Sequence, residues 1–139
     1  MKNKKDTILI VEDNELVAEC TRINFANLDC DVDIALDGKT ALEYAKQKTY
    51  DLIIMDLGLP DIDGYAVTQE IRSNELLRKN ASTPIIALTA HITNEGQERC
   101  IASGMHAIIV KPLLQEKTKS LLNTYVWIKA YMSGSALTA

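Results

Sequence analysis

The sequence predicts an α/β fold: a single domain built on a doubly wound, five-stranded parallel sheet with five helices. Three observations carry this. Short β-rich apolar runs alternate with longer stretches of helical periodicity, a pattern that forces parallel strands covered by helices on both faces. The central runs, such as Ile8 to Val11 and Leu52 to Met55, are apolar without alternation, as strands buried on both faces must be. The chain has 139 residues, 47% of them hydrophobic, which supplies one core and leaves no room for a second folded module.

In chain order, residues 1–6 read as an N-terminal extension and 7–11 as the first strand. A helix is expected over 14–27, with Leu16, Val17, Cys20, Ile23 and Leu28 as its apolar stripe. The second strand is 31–35. The Asp37-Gly38 turn then opens a helix over 38–48 that carries Ala41, Leu42 and Ala45. The third strand is 52–55, followed by a Pro60, Asp61, Asp63, Gly64 turn and a helix over 65–72 with room for an extension. Strands at 85–89 and 107–110 flank a helix at 94–103. The last helix runs from Leu114 to about Tyr131 on a stripe of Leu114, Leu121, Leu122, Tyr125 and Ile128, with Trp127 and Tyr131 beyond it. The folded body is thus 7–131, and 132–139 form a flexible tail or the start of a linker.

The net charge of −4, with a pI near 5.1, repels a phosphate backbone, and no basic cluster follows Lys2, Lys4 and Lys5. Direct nucleic-acid binding is therefore not expected. The apolar run Ile8–Val11 stops at Glu12-Asp13, which fits a strand better than an export signal. No stretch approaches the roughly 20 apolar residues a bilayer requires, so the expected location is the cytoplasm, without membrane contact. Cys20, Cys30 and Cys100 lack the paired spacing of a zinc site and read as buried, reduced thiols.

Ligands of open parallel sheets bind beyond the carboxyl ends of the strands, where the strand order reverses. Four of the five predicted strands end there in a polar group: Glu12-Asp13, Asp56, Thr89 and Lys111. Helix capping explains an acid after a strand, but not a lysine before Pro112, nor an acidic pair where one residue would cap. If Glu12, Asp13 and Asp56 converge, their mutual repulsion calls for a hard cation, and Mg²⁺ takes one or two carboxylates plus substrate phosphate. Lys111 would add a fixed positive charge and Thr89 a hydroxyl donor. That set suits phosphoryl transfer, where positioning and charge neutralisation are most of the catalysis.

Five blocks in sequence order resemble the response-regulator receiver domain of two-component phosphorelays. They are Ile8 to Asn14; Ala35-Leu36-Asp37-Gly38 with Ala41-Leu42; Asp51 to Pro60 with Asp63-Gly64; Thr83 to Ala90; and Gly104-Met105 with Lys111-Pro112. The resemblance implies the flavodoxin-like strand order 2-1-3-4-5. It implies that Asp56 accepts a phosphoryl group from a phosphohistidine, on a histidine kinase or a histidine phosphotransfer domain. Asp13, Asp56 and the Gly58 carbonyl would bind Mg²⁺ directly and Glu12 through water, with Mn²⁺ able to substitute. Thr89 would hydrogen-bond the bound phosphoryl group, Lys111 would pair with it, and Lys111-Pro112 would be cis. Such a domain catalyses its own phosphotransfer and autodephosphorylation.

The run Thr83–His91, with Cys100 and Lys111-Pro112-Leu113, resembles the receivers of hybrid sensor histidine kinases, and a parent of that kind would itself be a histidine kinase. A stand-alone single-domain regulator is the alternative. A homodimer through the last two helices and strand five is a further expectation. An aspartate-nucleophile phosphatase would need a second Asp at the position of Gly58. Asp61 and Asp63 read as turn residues, His91 as a rim residue and His106 as a surface residue. One departure stands out: Ile108 lies where the family usually carries an aromatic switch residue.

Overall fold

The structure, a computed structural model, describes residues 4–128. The expectations for residues 129–139, including Tyr131 and the tail, and those for residues 1–3 lie outside the described residues. Strands β1 (Thr7–Val11), β2 (Asp31–Ala35), β3 (Leu52–Asp56), β4 (Ile85–Thr89) and β5 (Ala107–Val110) form one parallel sheet in the order β2-β1-β3-β4-β5, as expected. Helices α1 (Glu15–Ala26), α2 (Gly38–Gln47), α3 (Gly64–Ser73), α4 (Asn94–Ser103) and α5 (Gln115–Leu122) connect or follow them. A sixth, 3₁₀ helix spans Glu75–Asn80; it is the extension anticipated after α3, set off from it by the Asn74 cap. The third strand runs one residue further than expected, so that Asp56 itself is its last member.

Alternation along the strands splits the core in two. Leu9, Val11, Ile53, Met55, Ile85 and Ala87 face α2, α3 and α4. Ile8, Ile10, Leu52, Ile54, Ile86 and Leu88 face α1 and α5. Every residue of β1 and β3 is buried, while β2 and β5 form the partly open edges.

Two helical stripes and one cysteine differ from expectation. Helix α1 turns Ala18, Thr21 and Phe25 inward, whereas Leu16 is 74% and Ile23 44% exposed and Cys20 faces out. Ala18 and Thr21 are small enough to let Phe25 pack to full burial, worth about 1.5–3 kcal/mol. The Thr21 hydroxyl is satisfied locally by the Val17 carbonyl at 2.9 Å. Cys30 and Cys100 are buried as expected. After α5, the turn Asn123–Trp127 is π-helical, with the Ile128 amide bonding Asn123 O. In this turn Val126 is buried and Tyr125 half-buried, as expected for the latter, while Ile128 after it is exposed; Leu114, the N-cap before α5, is exposed as well. Trp127 donates its indole N–H to Asp6 Oδ2 at 3.0 Å, fastening the end of the helical segment to the approach to β1.

Asn80, fully buried at the end of the 3₁₀ helix, joins four segments. Its Oδ1 accepts from Tyr50 N (2.8 Å) and Thr83 Oγ1 (3.0 Å), and its Nδ2 donates to Ala45 O (2.7 Å) and Lys48 O (2.8 Å).

Candidate functional site

The strand order reverses between β1 and β3, so the crevice beyond their carboxyl ends is where a ligand site belongs. Glu12 and Asp13 follow β1 and Asp56 ends β3. One carboxylate oxygen from each of these three residues lies within 4.8 Å of the others. Glu12 and Asp56 are buried, at 2% and 5% exposure, and Asp13 is open to solvent.

The third side of the cluster is Lys111. Its amide donates to Thr89 O at 2.8 Å, extending the β4–β5 ladder past Val110, and the Lys111-Pro112 peptide is cis. The ammonium stands 2.8 Å from Glu12 Oε1 and 3.2 Å from Asp56 Oδ1. Glu12 Oε1 is buried, with the Lys111 ammonium against it. Its other oxygen accepts the Asn14 amide at 3.1 Å, and Asp56 Oδ1 accepts the Gly58 amide at 3.1 Å.

Burial dominates at Glu12 and lifts its carboxyl above the usual range despite Lys111. Burial pushes the same way at Asp56, but the Gly58 amide, Glu12 and Lys111 together outweigh it and hold that carboxyl below its ordinary value. Burial likewise opposes charge on Lys111, and Glu12 and Asp56 more than compensate, raising it. The site therefore keeps an ionised aspartate beside a glutamate on which charge is disfavoured. A hard divalent ion relieves such crowding, and three carboxylates converging with no nitrogen or sulfur ligand among them fit Mg²⁺ with retained waters.

Thr89 sits at the end of β4 with its hydroxyl turned to its own loop, donating to His91 O at 3.0 Å and accepting from His91 N at 3.4 Å. Gly58 is an exposed loop residue whose amide, described above, faces Asp56. Gly64 packs beneath this loop: a Cβ there would stand 2.6 Å from Asp56 O. Asp63 caps α3 through Ala66 N at 2.9 Å. Asp61, read from the sequence as a turn residue, instead accepts the Gly38 and Lys39 amides at 2.8 and 3.0 Å. His91 is exposed. His106 is also exposed but does more than its position implied, since Nδ1 lies 3.3 Å from the Ile85 amide and 3.5 Å from Arg72 Nη2. Ile108 is half-buried against the α2, α3 and α4 side of the core.

The family model for the response regulator receiver domain matches residues 8–123. Hybrid signal transduction histidine kinase L of Dictyostelium discoideum is 33% identical over 93% of this chain, which spans only 8% of that relative's length. Among solved structures, the receiver domain of a Pseudomonas aeruginosa sensor histidine kinase, with a magnesium ion coordinated in its active-site cleft, is 34% identical. It superposes with a TM-score of 0.78 over 88% of this chain and 98% of that one. The receiver domain of a Saccharomyces cerevisiae response regulator, co-crystallised with a histidine phosphotransfer protein, is 25% identical, with a TM-score of 0.82 over 91% and 92% of the two chains. Among the described residues, no helix is long and apolar enough to cross a membrane.

Proposed function

The chain belongs to the response regulator receiver family, and we propose that its Asp56 accepts a phosphoryl group from a partner phosphohistidine in a Mg²⁺-dependent reaction. The convergence of Glu12, Asp13 and Asp56 opposite Lys111 carries this reading. Asp56 is held ionised, as a nucleophile must be, and attacks phosphorus in line while the phosphorus–nitrogen bond of the histidine breaks. Asp13, Asp56 and the Gly58 carbonyl would hold the metal directly, and the Glu12 carboxylate would take one of its waters. Mn²⁺ would fill the same oxygen set. Bound there, the ion neutralises charge on the phosphoryl oxygens. Lys111, already between two carboxylates, turns its ammonium to the new anion, and the Thr89 hydroxyl exchanges His91 O for a phosphoryl oxygen.

The histidine donor sits on a histidine kinase or phosphotransfer domain. The face of this chain that would receive it is the outer side of α1, where Leu16, at the crevice end of the helix, and Ile23, two turns further on, are exposed. The domain, taken as residues 7–131, serves most naturally as the cytoplasmic receiver of a hybrid histidine kinase, with a single-domain regulator as the alternative. Self-association, where it occurs, would use α4, β5 and α5, a reading supported by the exposure of Ile101, Val110 and Leu114.

Incubation with acetyl phosphate and Mg²⁺ should add one phosphoryl group, read by intact mass. The addition should be lost on chelation and in Asp56→Asn. A chain left unmodified with Mg²⁺ present refutes the reading.

A further inference from the structure

The loop between β3 and α3, residues 57–63, carries the Gly58 carbonyl, and its described main-chain ties are near its ends. Leu57 N donates to Leu88 O at 3.3 Å, Gly58 N to Asp56 Oδ1 at 3.1 Å, and Gly64 N to Leu57 O at 3.4 Å. Between them the side chain of Asp61 reaches out of the loop to a different element. Its two oxygens accept the first two amides of α2, Gly38 N at 2.8 Å and Lys39 N at 3.0 Å. Those amides hold its carboxyl below the usual range, although the group is open to water.

Capping alone does not require this arrangement. Helix α2 already has its own N-cap, Asp37, which accepts Thr40 N at 2.7 Å. With Asp61 added, three of the four amides that a helix start leaves unpaired are bound by two carboxylates from two loops. The sequence makes room for the second one. A Cβ on Gly38 would stand 2.9 Å from Val67 Cγ2, 3.1 Å from Ile62 Cβ and 3.3 Å from Asp61 Oδ1. Gly38 thus lets the start of α2, the middle of the 57–63 loop and the first turns of α3 meet.

We propose that Asp61 is a positioning residue for the metal: its clasp on α2 fixes the 57–63 loop and, through it, the Gly58 carbonyl beside Asp13 and Asp56. The inference rests on the Mg²⁺-dependent reading above. Partners that orient a metal ligand from outside the coordination sphere change affinity by about 10–100-fold. Asp61 steers one ligand of several, so the low end applies.

The test is calorimetric titration of the full chain with MgCl₂, paired with a thermal melt of each variant. Wild type binds. Asp61→Ala and the charge-neutral Gly38→Ala weaken Mg²⁺ about tenfold. Asp61→Asn, whose amide oxygen still accepts one backbone N–H, weakens it only about threefold. Asp37→Ala, which removes the same charge and the other α2 cap, lowers Tm but leaves Mg²⁺ affinity within about twofold of wild type. Equal losses in Asp61→Ala, Asp61→Asn and Asp37→Ala would mean that charge alone acts, and would overturn the clasp. So would wild-type affinity in Asp61→Ala. If Gly38→Ala gives no cooperative melt, the contrast between Asp61→Asn and Asp61→Ala decides. A wild-type chain that binds no Mg²⁺ overturns the metal reading together with this inference, whereas normal binding with Asp61→Ala unchanged overturns the inference alone.

Discussion

The Lys111 ammonium lies closer to Glu12 than to Asp56, at 2.8 Å against 3.2 Å. Glu12 is nonetheless the carboxyl whose ionisation the fold resists, because burial outweighs the lysine. That inequality has a pH signature. Glu12 keeps its proton in the folded chain above the ordinary value of 4.5, so between there and its folded pKa the folded state binds more protons than the unfolded one. Its contribution to stability is full below that ordinary value and is lost as pH rises through the folded pKa. Asp56 acts oppositely: lowered from 3.8, it contributes above that value and loses its contribution as pH falls through the lower folded pKa. Glu12→Gln should therefore gain Tm relative to wild type as pH rises from 4.5 toward neutrality, measured by calorimetry without divalent ions. A difference that stays constant with pH would show that Glu12 is not the group responsible.

Asn80 offers a test of packing without chemistry. Alanine there strands the Ala45 carbonyl and the Tyr50 amide in buried positions, while the Thr83 hydroxyl keeps its bond to Tyr50 O. Each buried group left unpaired costs about 1–3 kcal/mol, so Asn80→Ala should lose about 2 kcal/mol or more in urea denaturation with an unchanged m-value. A loss below about 1 kcal/mol would mean that water replaces the side chain.

Ile108 bears on how the acidic crevice reports its state. It packs on the core beside a cleft of about 190 Å³ lined by Gln97, Cys100, Met105 and Ala107, so it has space to repack without an aromatic ring. Beryllium fluoride with Mg²⁺, standing in for the phosphoryl group, should shift amide resonances from Thr89 through Val110, including Ile108, as one packing gives way to another. Unmoved resonances over that stretch would end the idea that the signal crosses this face.

Much of this was legible in the sequence. The three central strands were, because strands buried on both faces must be apolar throughout, and β1, β3 and β4 leave no other choice; the edge strands β2 and β5 follow from the alternation of strands and helices. The cluster was too, because Glu12, Asp13, Asp56 and Lys111 all fall where strands end, and chain order alone carries them to one edge of a parallel sheet. The inward face of α1 was hidden because hydrophobicity ranks Leu16 and Ile23 above Ala18 and Thr21, while the space under a helix favours the smaller pair. Asp61 was hidden for another reason. Its partners, Gly38 and Lys39, are backbone amides 22 or 23 residues away, and no side-chain pattern announces them. Leu121, Leu122 and Tyr125 were legible as the inward stripe, but the π turn, a change of hydrogen-bond register that apolar spacing does not betray, goes with Val126 inward in place of Ile128.

Asp6 and Trp127 are 121 positions apart in sequence and one hydrogen bond apart in space. Asp6 precedes the amino end of β1, so this bond lies at the opposite end of the sheet from Asp56, whose position is the carboxyl end of β3. In mechanical terms, a pull applied through the two flanks of the domain would be taken up first at that fastening and along β1 and the last helical turns. Glu12 and Asp13 continue β1 past Val11, so a load carried along that strand would reach the acidic crevice at its far end.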